Sequence, residues 1–158
     1  SEAFLFEAAR HELVTQSIRP ALSVGKWVVV DRFHDSTTAY QCYGRGLDLD
    51  MVARMHYWAC GDTLPDLTLL LDIEPFLGLG RSRAASEGAG DSRPDRYEQE
   101  GEEFMNKVRA GFLALAQNEP DRIAVVRADA EITEVLGQCL RLIWDRLGRP
   151  EEMEENFS

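Results

Sequence analysis

The sequence lacks any apolar run approaching the roughly 20 residues needed to cross a bilayer. It shows no signal-peptide pattern at its start. Both absences lead to the expectation of a chain with no membrane partner. It has only three cysteines, Cys42, Cys60 and Cys139, odd in number and widely spaced. They form neither a zinc pattern nor a disulfide framework, so a reducing, cytoplasmic setting is expected. Excess positive charge is missing too. A net charge of −11 argues against a general binder of nucleic acid or anionic membranes, yet it is compatible with a local basic pocket for a small phosphate. No internal repeat is present. No serine, cysteine or histidine has a partner arrangement suggesting a covalent nucleophile.

What is present centres on the stretch from Lys26 to Gln41. Three consecutive valines, Val28 to Val30, follow Trp27 and read as a short strand buried on both faces. The strand ends in an acid and a base, Asp31 and Arg32. In open α/β sheets, ligands sit beyond the carboxyl ends of the strands. There an arginine can fork onto a phosphate and an aspartate can hold a hydrated metal ion. The alternative is a strand end whose charges only face water.

Read in order, residues from about Glu2 to Ile18 are predicted as a helix with Phe4, Leu5, Ala8, Leu13, Val14 and Ile18 inward. Arg19-Pro20 is expected to end it. Phe6 and Arg10 are four apart and share a face. Together they could stack on a flat ring and hydrogen-bond its edge, or they could be a core phenylalanine beside a solvated arginine. Asp35 to Tyr43 suits a loop or short helix. Gly44-Arg45-Gly46 reads as a flexible element that closes over a ligand or simply turns. Asp48 caps a helix through Ala59, with Met51, Val52, Met55, Trp58 and Ala59 buried and Gly61 ending it. His56 has no metal-partner spacing and reads as structural.

Pro65 to Asp72 is a second buried strand, again ending in an acid. Glu74-Pro75 opens a helix to about Ala84. Ala85 to Asp95 lacks apolar periodicity and is bracketed by Arg81, Arg83, Arg93 and Arg96. It is either a solvated loop or a lid that brings cations to a charged substrate. A long helix follows over about Glu98 to Asn118, with Phe104, Met105, Val108, Phe112 and Leu115 inward. Ile123 to Val126 is a third strand. A last helix runs from about Glu131 to Leu147, with Val135, Leu136, Cys139, Leu140, Ile143 and Trp144 inward. Strands alternating with helices imply an α/β fold: a parallel sheet with helices on both faces.

At this point the residues resemble a family, thymidylate kinase of the bacterial type. The matching pieces are Phe6 to Arg10, Arg19 to Leu22, Asp31-Arg32 with Ser36-Thr37 and Ala39-Tyr40-Gln41, Gly44 to Gly46, Pro65 to Thr68, Asp95 to Glu98, and Val108 to Phe112 with Leu115-Ala116. Their order and spacing cover nearly everything but the acidic tail. The resemblance implies a phosphate-loop-kinase-like domain over 1–147, a lid at about 81–96 and a tail at 148–158.

The resemblance also implies roles. Phe6 would stack on the thymine ring and Arg10 hydrogen-bond its edge. Arg32 would bind the acceptor phosphate of dTMP, and Asp31 would order the water on Mg²⁺. Ser36 and Thr37 would lie along the base and its phosphate side, Tyr40 under the sugar, with Gln41 and Arg45 completing the pocket. Arg81, Arg83, Arg93 and Arg96 would bring cations to the phosphoryl group passing from ATP to dTMP. A homodimer through a helical face is implied as well. Cys42-Tyr43 departs from the family, standing where small glycines are common, and would tighten the pocket.

One expected motif is missing. Gly-x-x-x-x-Gly-Lys-[Ser/Thr], the donor-phosphate cradle, does not occur; the only Gly-Lys, Gly25-Lys26, is followed by Trp27. In the family that loop lies on an N-terminal strand and helix, and the resemblance places the strand centrally, between those ending at Asp31 and Asp72. The chain by itself is then expected to hold a nucleoside monophosphate better than ATP, to be inactive, and to expose two strand edges. The alternatives are a catalytically inactive nucleotide-binding or scaffold fragment, or a kinase for another nucleoside monophosphate.

Overall fold

The computed structural model describes residues 2–75 and 101–148. These fall into two compact units. One comprises residues 2–64 with 103–112, the other 65–75, 101–102 and 113–148.

The first unit begins with helix α1, Glu2–Leu13, which continues as a π-helical turn, Val14–Ile18, and then as α2, Arg19–Ser23. Pro20 therefore does not stop the chain's helical course. The wide turn hands the Arg19 amide to the Val14 carbonyl, and Pro20 sits in the first turn of the new segment, where its missing N–H leaves nothing unpaired. The inward stripe is also narrower than the periodicity predicts. Ala3, Glu7, Val14 and Ile18 are buried, whereas Phe4, Leu5, Ala8 and Leu13 are exposed. An acid occupies the core face because it finds partners there, which apolar periodicity cannot register.

Val14, Ile18, Phe33 and Cys60 form the core of this unit, with Val28, Val30 and Ala59 packed against it. Burying each large side chain contributes about 1.5–3 kcal/mol. The valine stretch is thus anchored on one side only: Val29 is 95% exposed. Residues 26–30 form neither helix nor strand and pair with no strand among the described residues. The expected strand buried on both faces is corrected to an irregular segment whose Val28 and Val30 pack on the core, since a hydrophobic run favours burial but pairing requires a neighbour's N–H and C=O groups.

After Phe33 come a short helix α3, His34–Thr37, and a π-helical segment, Thr38–Gly44. Helix α4 spans Leu49–Cys60. Asp48 caps it, its carboxylate accepting from the Met51 amide at 2.8 Å, and Gly61 (φ +58°) ends it. Val52, Met55, His56 and Cys60 are its buried face; Met51 and Trp58, expected inward, are exposed. Arg19 closes the end of α4, donating to the Cys60 carbonyl at 2.6 Å and to Thr63 Oγ1.

The second unit carries a two-stranded parallel sheet, β1 Thr68–Asp72 beside β2 Ile123–Arg127, in register from Thr68 opposite Ile123 to Asp72 opposite Arg127. Helix α5, Glu102–Asn118, lies between them in sequence, and α6, Ile132–Leu147, packs against β2. Leu136, expected inward, is exposed on α6. The parallel α/β reading holds for this sheet. The predicted helix from Glu74-Pro75 to Ala84, the lid and the acidic tail lie outside the described residues, apart from Glu74, Pro75 and Gly148.

Candidate functional site

The corner after the valine stretch is conformationally unusual. Arg32 has φ +66°, the only positive φ on a non-glycine among the described residues. Such a backbone costs roughly 1–2 kcal/mol for an L-residue and persists where its surroundings over-determine it. The Arg32 guanidinium carbon lies 5.7 Å from the centre of the Tyr40 ring, so the cation is directed onto that face. Asp31 is exposed beside it.

Three elements converge on Arg10. From α1, Glu7 accepts from Nη1 at 2.5 Å. From α3 and the residue before it, Thr37 Oγ1 accepts from Nη2 at 2.8 Å, and the Phe33 carbonyl at 3.3 Å. The Phe33 ring centre lies 5.3 Å from the guanidinium carbon. From α4, His56 Nδ1 approaches the second oxygen of Glu7 at 3.2 Å. His56 stacks on His34, ring centres 4.5 Å apart, and His34 in turn meets Asp35 at 3.2 Å. Burial pushes the Glu7 carboxyl up, but the hydrogen bond from His56 and the charge and hydrogen bond of Arg10 outweigh it, and the group is held below the ordinary range.

The remaining predicted residues form neighbouring groups. Gln41 is buried and donates to Glu2 at 3.1 Å, and Arg45 pairs with the same Glu2 carboxylate. The Arg45 guanidinium carbon also lies 5.7 Å from the Phe104 ring centre. Tyr40 meets Phe104 and Phe112 with ring centres 6.1 and 6.3 Å away. Ser36 is half-buried, Thr37 buried, and Phe6 exposed. A Cβ at Gly44 would meet the Phe104 ring at 2.6 Å, so close packing requires glycine there; the open, left-handed position is Gly46 (φ +76°). Tyr43 lies against Gly111. Arg81, Arg83, Arg93 and Arg96 lie outside the described residues.

Glu7, His34 and His56 are the residues that sequence reasoning missed. Glu7 had one available signal, its i,i+3 spacing to Arg10. His56 had none, because its partner is 49 positions away.

A family model described as thymidylate kinase matches residues 1–138. The chain belongs to the thymidylate kinase family. Among curated relatives named thymidylate kinase, it is 44% identical over 146 residues to that of Magnetococcus marinus, covering 92% of this chain and 67% of the relative. It is 47% identical over 144 residues to that of Syntrophotalea carbinolica, covering 91% and 65%. It is 46% identical over 129 residues to that of Solidesulfovibrio magneticus, covering 81% and 62%. The chain thus spans about two thirds of the length of the thymidylate kinases it matches.

For a thymidylate kinase, two implied ligands can be tested against these residues. A single exposed carboxylate, Asp31, suits a hydrated Mg²⁺, a hard ion that keeps several waters. No glycine-lysine cradle for the ATP phosphates occurs within these 158 residues. A softer metal has one candidate group among the described residues, Glu7, His56 and Cys60, whose ligand atoms lie within 4.8 Å of one another. Both Glu7 oxygens are already engaged there, one by the Arg10 cation. Burial and the Glu7 charge push the Cys60 thiol up, toward the neutral form that does not ligate. The group therefore reads as the support of Arg10. A cavity of about 380 Å³ between α1 and α4, lined by Phe4, Asp48, Met55 and Trp58 among others, includes none of the predicted site residues.

Proposed function

We propose that this chain carries the acceptor half of a nucleoside monophosphate kinase, a phosphotransferase that moves the γ-phosphoryl group of ATP onto dTMP to give dTDP for dTTP synthesis. The family match supports the reaction class. The observation that carries the residue assignment is the link from Arg10 to Thr37, which ties the base-reading helix to the segment just after Asp31-Arg32. Arg32 then binds the acceptor phosphate. Tyr40, beneath the Arg32 cation, packs under the deoxyribose. Phe6, exposed near Arg10 on α1, stacks on thymine, while Ser36, Thr37, Gln41 and Arg45 line the pocket. Phosphoryl transfer asks a protein mainly for alignment and charge neutralisation, which arginines and Mg²⁺ held through water by Asp31 provide. Arg81, Arg83, Arg93 and Arg96 complete that charge from a lid.

Turnover also needs a donor cradle, which does not occur in these 158 residues, and a central strand to pair with the stretch 26–30. The unpaired stretch 26–30 supports this part of the proposal, since Val29 stands open to a neighbour. A homodimer is supported by the exposed Phe4, Leu5 and Trp58 on α1 and α4, at 64%, 70% and 77%. A cytoplasmic location is supported by three widely spaced cysteines that form no disulfide framework. A second reading, a binding fragment without turnover, is favoured by the missing Gly-x-x-x-x-Gly-Lys-[Ser/Thr] loop alone.

Calorimetric titration of the purified chain tests the proposal. One dTMP per chain is expected to bind, more tightly than UMP or dCMP, with no binding of ATP. ATP binding without dTMP binding would overturn it. Joining the upstream coding sequence should restore turnover; continued inactivity with a glycine-lysine loop present would leave the binding-fragment reading.

A further inference from the structure

We infer that Glu7 is a positioning residue for Arg10, and that His56 fixes Glu7 in turn. The chain α4–Glu7–Arg10 then sets the preference for a keto over an amino pyrimidine. The inference rests on the acceptor-site reading above and deepens it.

Glu7 is 4% exposed on the core face of α1. A carboxylate is rarely found there unless paired. Each of its oxygens has its own partner, Arg10 Nη1 on one and His56 Nδ1 on the other. A carboxylate only accepts, so the His56 Nδ1 donates its hydrogen to Glu7. The other ring nitrogen, Nε2, is buried with no hydrogen-bond partner. His56 is thus committed to Glu7 rather than shared with another acceptor.

The effect is felt at Arg10. Of the five N–H donors of a guanidinium, three have acceptors: Glu7, Thr37 Oγ1 and the Phe33 carbonyl. Its plane is further pinned on Phe33. Two donors remain, and their direction is set by the other three. A donor-only edge fixed in this way donates to a ring carbonyl and opposes an exocyclic amino group, which presents donors to donors. A freely rotating arginine would swing aside for either base. The selectivity therefore depends on the anchors, of which Glu7 is the charged one.

The test is a double-mutant cycle on the full chain, read by calorimetry with dTMP and dCMP. E7Q keeps the shape, but its amide sets donors against Arg10 or His56. It is expected to weaken dTMP binding at least tenfold and to narrow the dTMP-to-dCMP ratio by a similar factor. H56A is expected to give a smaller loss in the same direction. In an R10A background the E7Q effect should shrink to less than twofold. T37V, which removes a neutral anchor without touching the buried acid, supplies a second route should E7Q fail to fold, and should likewise narrow the ratio. Unchanged affinity and ratio in folded E7Q and T37V, or an E7Q effect that survives in R10A, would overturn the inference while leaving the acceptor site standing. A wild-type chain that binds no dTMP would overturn both.

Discussion

Gly111 of α5 lies directly against Tyr43: a Cβ at position 111 would stand 2.6 Å from both the Cβ and Cγ of that tyrosine. The contact involves the root of the side chain, which cannot swing away as a ring tip can. Gly111→Ala is therefore expected to destabilise the chain by about 1–3 kcal/mol, overpacking outweighing the gain in helix propensity. Gly44→Ala, whose nearest contacts are the outer ring atoms of Phe104, should cost less. Urea denaturation midpoints of the two variants check the order; equal midpoints would contradict it.

Arg32 offers a separation of stability from binding. At φ +66° an alanine carries the same backbone penalty as arginine, whereas glycine does not. Arg32→Gly should be more stable than Arg32→Ala by about 1 kcal/mol. Both should lose dTMP affinity alike, because both lack the cation. Thermal melts and dTMP titrations of the pair decide this; a difference in affinity matching the difference in stability would count against a phosphate-binding role.

The Asp48 cap should be separable from the site. Its carboxylate satisfies the Met51 amide at the start of α4. Asp48→Ala is expected to cost about 1 kcal/mol, seen as a lower denaturation midpoint, with dTMP affinity within twofold of the parent.

Acid should weaken the fold through Glu7. Its folded carboxyl is held below the ordinary value of 4.5 by His56 and Arg10, against the upward push of burial. A depressed carboxylate contributes stability fully above its unfolded value and loses it as the pH falls through the lower folded value. Stability should thus decline on acidification from about pH 5 downward. E7Q should flatten that limb when denaturation midpoints are followed from neutral pH into acid. An unchanged acid limb would mean that the ion pair does not form in solution.

Much of the local structure could be read directly. The Asp48 cap and Gly61 stop of α4 were legible because capping is decided within a few residues. So were β1 and β2, whose Leu- and Val-rich runs lie between clear turn signals. The inward set of α1 was not. Periodicity selected Phe4, Leu5, Ala8 and Leu13, while the fold buries Ala3 and Glu7, because a paired acid can occupy a core position that an apolar count forbids. The same limit hid His56, whose only clue is a partner on another helix.

The sequence by itself determined the family and which candidate acceptor-site side chains are present, since these depend on which residues occur and in what order. The tertiary structure alone decided that Val28 to Val30 pair with no strand among the described residues, that Arg32 adopts a left-handed backbone, and that Arg10 is held by Glu7, Thr37 and Phe33. Strand pairing and buried ion pairs depend on groups distant in the chain, and no local pattern of residues contains that distance.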